Sequence, residues 1–121
     1  MQCMSPAQGF LGLPAEDATT YSAAKAVVIP FGLEATAQGP AAMIKASHEV
    51  ELFDEQLWCE PFRQIGIATL EEPTIAKNIE TALQHLESLV ETVLTDGKFP
   101  LTFGGEHSIT AATIRPFLKK Y

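Results

Sequence analysis

FPLTFGGEHSIT, residues 99–110, runs from apolar, β-favouring side chains through two adjacent glycines to an acid, a histidine and a hydroxyl residue. The first five residues read as a buried strand, Gly104–Gly105 as a tight turn, and Ser108 onward as the start of a helix. A strand feeding a helix in this way is the repeating unit of a layered α/β protein. The alternation extends backward through the chain. AVVIPF, 26–31, is a continuous β-branched run, the pattern of a strand covered on both faces of a parallel sheet. Gly39–Pro40 then suits a helix start, since proline there gives up only an N–H that would be unpaired anyway. That helix is expected to end near His48.

VELFD, 50–54, alternates and is expected to be a short extended piece. RQIGIATL, 63–70, is expected to be a second strand, interrupted by Gly66. The stretch 72–97 is the plainest helix. Ile75, Ile79, Leu83, Leu86, Val90 and Val93 draw one apolar stripe along it, with Asn78, Thr81, His85, Ser88 and Glu91 on the other side. Asp96–Gly97 stops it, because glycine takes a left-handed conformation cheaply. A last helix follows Ser108, and Pro116 is expected to kink or restrict it near its end. The order strand, helix, strand, helix, strand, helix implies a parallel α/β sheet with right-handed crossovers. Three strands make a thin sheet, so the chain reads as part of a larger domain. Residues 1–24, rich in Pro, Gly, Ala, Ser and Thr without a sustained period, read as an N-terminal arm, and 25–121 as the domain portion.

Eight Lys and Arg against fifteen Asp and Glu give a net charge of −7, which argues against nucleic acid or an anionic membrane as partner and is compatible with a cationic small molecule. Cys3 and Cys59 lack a C-x-x-C spacing and read as free thiols in a reducing compartment. The N-terminus has no basic segment followed by an apolar one, and no apolar run approaches the roughly 20 residues of a membrane helix. A cytoplasmic protein is expected.

In open α/β sheets, ligands bind outside the carboxyl ends of the strands. Gly104, Gly105, Glu106, His107 and Ser108 lie at such an end. An imidazole there suits a metal ligand or an acid–base group, although paired glycines followed by a hydrogen-bonded histidine also make an ordinary turn. Glu106 reads either as support for a metal or as a polar residue at a helix start. His48 falls near a helix C-terminus, where its ring is mildly favourable, and His85 on a polar helix face. There is no G-x-S-x-G elbow, P-loop or G-x-G-x-x-G, and no zinc-type Cys/His cluster. Ser108 beside His107 is not a triad, since neighbours in sequence do not set base against nucleophile.

GKFPLTFGGEHSIT resembles the first metal-binding motif of the ureohydrolases, the arginase and agmatinase family. AKAVVIPFGLEAT, QGPAAMIKASHEVELFDEQL and EPFRQIGIATL are similar to its agmatinase branch, in the family's order, from about residue 10 onward. The resemblance implies a three-layer α/β/α fold on a mainly parallel sheet, incomplete in this chain. It further implies two Mn2+ ions at the strand ends, with His107 matching a ligand of one of them and Gly104, Gly105, Glu106 and Ser108 forming the supporting turn. Water activated between the ions would attack a guanidinium carbon, giving urea and an amine, putrescine in the agmatinase branch. Two ions about 3.5–4 Å apart suit that chemistry, and imidazole with carboxylates suits Mn2+.

The family's further ligands come from Asp-Ala-His-x-Asp and Asp-x-Asp motifs, and neither is present. Asp17, Asp54 and Asp96 are widely separated. The first of those motifs is expected on a strand after the last helix, yet the sequence reaches only Tyr121, so it reads as an N-terminal part that is inactive alone. The connection Gly32–Gln38 looks shortened, which opens the substrate choice to arginine, guanidinobutyrate or another relative of agmatine. The resemblance also suggests a homo-oligomer. A non-catalytic assembly module of the same fold is the alternative reading.

Overall fold

The computed structural model describes all residues, Met1–Tyr121. Three strands form one parallel sheet: β1 (Ala26–Pro30), β2 (Ile67–Thr69) and β3 (Phe99–Phe103), in the order β2-β1-β3. Ala26 pairs with Ile67 on one side and with Phe99 on the other, so the strands start level. Central β1 explains its sequence. Val27, Val28, Ile29 and Phe31 have no exposed surface, because both faces of the strand are covered.

Four α-helices supply most of that cover: α1 (Gly39–Ser47), α2 (Pro61–Ile65), α3 (Ile79–Thr95) and α4 (Ile109–Lys120). One face of the sheet presents Val27, Ile29 and Phe31 to a core built with Leu86, Val90 and Val93 of α3 and Ile109 and Ala112 of α4. On the opposite face lie α1 and the arm. Ile44 of α1 and Leu13 of the arm are buried there, and Phe10 meets Phe103 edge to face at 5.6 Å. The three-layer α/β/α architecture is therefore present, with three strands.

The arm is held by specific bonds rather than by its own helices. Met4 N–H donates to Thr69 O at 2.8 Å, and Cys3 bridges antiparallel to Leu70 along the outer edge of β2. Phe10 N–H donates to Thr69 Oγ1 and Leu11 N–H to Ser47 Oγ, each at 2.9 Å. At the amino ends of the strands the buried Lys98 ammonium donates to Ser22 O and Ala24 O, and its Nζ lies 4.9 Å from the centre of the Tyr21 ring. Tyr21 in turn donates to Asp96 at 2.6 Å.

Several sequence expectations need correction. Residues 63–65 are helical, not extended: Pro61 opens α2, and Gly66 at φ +63° ends it before a strand of only three residues. Residues 50–54 join no strand; only Asp54 is bridged, locally, to Cys59. The long helix begins at Ile79, capped by Asn78 Oδ1 accepting from Thr81 N–H at 3.0 Å. Ile75 precedes it and still packs on the core, whereas Ile79 is largely exposed and Ala82 and Leu94 share the buried stripe. Pro116 is accommodated inside α4, which continues to Lys120. The stop at Asp96–Gly97 is as expected. Gly97 (φ +75°) donates to Leu94 O and Lys98 N–H donates to Val93 O, the paired bonds of a Schellman motif.

Candidate metal-binding end of the sheet

Three connections gather at the carboxyl ends of the strands. From β1 the chain runs through Gly32 into a single 3-10 turn, Glu34–Thr36, and then α1. From β2 it runs into Glu71 and Glu72, and from β3 into Gly104–Ser108. Glu72 Oε1 accepts the Gly32 N–H at 3.0 Å, tying the first two connections together. The third is tied in by close packing. A Cβ on Gly105 would stand 2.6 Å from Thr36 Cβ, and one on Gly104 would overlap the end of Ile109. Neither glycine has a positive φ, so what this turn requires of them is room.

Glu106 and Ser108 form the start of α4. Glu106 Oε2 accepts both the Ser108 N–H, at 2.9 Å, and the Ser108 hydroxyl. The Ser108 hydroxyl bond, then its N–H, hold the Glu106 carboxyl below the usual carboxylate range against a smaller opposing effect of desolvation, and His107 adds to the lowering. The carboxylate thus serves as the cap that Ser108, itself in helical backbone geometry, does not provide. Glu106 is accordingly a supporting residue of the turn.

His107 is exposed at the end of β3, and its imidazole makes no hydrogen bond within the chain. Both ring nitrogens are available to a ligand. No three His, Cys, Asp or Glu side chains converge in a way that could hold a metal ion. The residues present therefore fit one position of a metal-ligand set and not a whole set. The other histidines are placed differently. His48 Nε2 meets Gly9 O at 2.9 Å and fixes the arm to the end of α1, while His85 is exposed on α3. Asp17 pairs with Arg63, Asp54 caps its own turn and Asp96 receives Tyr21, so the three aspartates hold separate structural positions. Glu72 and Thr36 shape this end of the sheet, yet sequence reasoning did not single them out. The signal for Glu72 was its place directly after β2, where it was read as the start of a helix.

No helix is long and apolar enough to cross a membrane. Residues 26–121 match the family model described as the Arginase family. The chain is 34% identical over 116 residues to the N(1)-aminopropylagmatine ureohydrolase of Synechocystis sp. (strain ATCC 27184 / PCC 6803 / Kazusa), covering 85% of this chain and 38% of that protein. It is 39% identical over 44 residues to the agmatinase of Bacillus subtilis (strain 168), covering 36% of this chain and 15% of that one. Among solved structures, the agmatine ureohydrolase of Thermoplasma volcanium superimposes with a TM-score of 0.73 at 28% identity, over 83% of this chain and 36% of that one. A Trypanosoma cruzi formiminoglutamase solved with Mn2+ gives 0.72 at 26% identity, over 86% and 39%. The chain thus spans well under half the length of the relatives it matches.

Proposed function

This chain belongs to the arginase family, and on that premise we propose that it carries part of a manganese-dependent ureohydrolase acting on agmatine, releasing urea and putrescine. The observation that carries the reading is the placement of His107. An imidazole without a hydrogen-bond partner stands at the carboxyl end of a parallel strand, in a connection packed against the one that follows β1. His107 would be one ligand of a binuclear Mn2+ site whose remaining ligands lie outside these 121 residues. When bound, such a pair of ions supplies an activated water and stabilises developing charge. The chain's own contribution is positional: the Gly104–Gly105 turn sets the ring beyond the strand, and Glu106 with Ser108 fixes the helix that follows it. We place the protein in the cytoplasm as a homo-oligomer with a small guanidino substrate, without nucleic-acid or membrane partners.

A second substrate is favoured by a specific observation. The match to the N(1)-aminopropylagmatine ureohydrolase extends over 116 residues, that to the agmatinase over 44. A longer guanidino polyamine is therefore the second reading. Urea release from agmatine, N1-aminopropylagmatine, arginine and guanidinobutyrate, assayed with Mn2+ on the native protein from its source, decides between them. His107→Ala should lower turnover at least a hundredfold and reduce bound Mn2+ while leaving thermal stability nearly unchanged, since the exposed ring makes no hydrogen bond within the chain. Full activity in that variant would overturn the assignment. The 121-residue chain alone should release little or no urea, because one imidazole cannot hold two ions; robust turnover would contradict this.

A further inference from the structure

The connection after β1 is the hub of this end of the sheet, and its own backbone is strained. Past Phe31 the chain turns back so tightly that a Cβ on Gly32 would overlap the Ala37 carbonyl. Thr36 donates to Leu33 O through both its N–H, at 3.1 Å, and its hydroxyl, at 2.7 Å, and Ala37 N–H donates to Glu34 O at 3.1 Å. Inside that turn Glu34 has φ +52°, left-handed space that a non-glycine residue keeps only where its surroundings hold it there.

The same turn supports the His107 connection. Thr36 stands against Gly105, the Phe31 carbonyl against Gly104, and the Gly104 carbonyl against Gly39. Without side chains of their own, the paired glycines take their position from these contacts, and His107 follows two residues after Gly105.

One side chain fastens the hub to the strand on its other flank. Gly32 is buried, and its N–H donates to Glu72 Oε1 at 3.0 Å rather than to a backbone carbonyl. Glu72 projects from anchored backbone. Leu70 N–H donates to Val28 O at 2.9 Å, Glu71 N–H donates to Gln2 O at 3.0 Å, and Ile75 packs on the core. A carboxylate accepting an amide proton makes a charge-assisted bond, and its loss would leave a buried N–H unpaired.

We propose that Glu72 is a positioning residue for His107, acting through the strained 32–37 turn and not through its charge on metal or substrate. Freed from Glu72, Gly32 seeks another partner, Glu34 leaves left-handed space, and Thr36 withdraws from Gly105. The consequence for turnover rests on the ureohydrolase reading; the mechanical link is a property of the chain itself.

Glu72→Ala and Glu72→Gln in the native protein test it, first by hydrogen exchange in the metal-free state. In Glu72→Ala, peptides containing Thr36 and Gly105 should exchange about tenfold faster than in the wild type, with β1 and α3 equally protected in both. Glu72→Gln keeps a neutral oxygen acceptor at the same reach and should restore most of that protection. With Mn2+ supplied, Glu72→Ala should lower kcat and Mn2+ affinity about tenfold with KM changed by no more than about twofold, and Glu72→Gln should regain most of both. Unchanged exchange at Gly105 in Glu72→Ala would overturn the proposal, even if Thr36 were freed. Equal losses in the two variants would also overturn it, since they would show that the charge itself acts. A wild-type protein that releases urea from none of the four guanidino compounds would sink the ureohydrolase reading instead, and exchange at Gly105 would still decide whether Glu72 holds the His107 turn.

Discussion

Gly105 occupies ordinary backbone space, and its lack of a side chain matters because Thr36 stands where a Cβ would go. Gly105→Ala should therefore behave as overpacking and cost about 1–3 kcal/mol, read from urea denaturation. An alanine variant as stable as the wild type would mean that the Glu34–Thr36 turn yields freely. Glu106 is testable by pH. Its folded carboxyl titrates below the ordinary range, mainly through Ser108, so the charged form stabilises the fold above the unfolded pKa of about 4.3. That contribution drains away as pH falls through the lower, folded value. Glu106→Gln should thus be less stable than the wild type at pH 7, with the gap closing on acidification. A gap that stays constant from pH 7 to pH 3 would show that the charge plays no part.

At the scale of elements, α3 offers the cleanest tests because its two ends are closed by identifiable groups. Asn78→Ala removes the side-chain acceptor for Thr81 N–H and should cost about 1 kcal/mol. Gly97→Ala meets no atom within 4 Å, so its penalty is purely conformational, about 1–2 kcal/mol for a β-carbon held at φ +75°. Gly97→Asn should recover part of it; thermal melts of the three variants rank them. These same ends show what the sequence disclosed. Gly97 was legible because a left-handed stop is a local property of one residue. Asn78 was assigned to the polar side of the stripe because the apolar period carries on through Ile75, which packs on the core from outside the helix. Residues 61–65 misled similarly: Arg-Gln-Ile-Gly-Ile has strand-like composition, and only the proline at the first helical position betrays α2. The placement of His107 at the carboxyl end of β3 was legible because strand, glycines and helix are contiguous. Glu72 and Thr36 reach that end through tertiary packing, which no window of sequence contains.

On the scale of the whole molecule, the arm is the part whose stability was least readable, because every bond that holds it is non-local. Residues 2–4 run along one edge of the sheet, at β2, while β3 forms the other edge with Phe99 and Leu101 exposed. The arm's attachment to the opposite layer passes through the buried Ser47, whose hydroxyl accepts the Leu11 N–H and donates to Ile44 O. Ser47→Ala deletes the acceptor and leaves a partly buried amide unpaired, which costs about 1–3 kcal/mol. If arm and sheet unfold as one unit, the variant lowers the stability of the whole chain by that amount, and the Leu11 and Phe10 amides exchange hydrogen at the global rate in both proteins. If the arm opens by itself, Leu11 exchanges early in the variant while the amides of β1 keep their protection. The bonds from Thr69 to Phe10 and from Gly9 to His48 favour the first outcome, since the arm is fastened to β2 and to α1 at separate points. Early exchange of Leu11 with unchanged β1 would show instead that the arm is a separable cover over this face of the sheet.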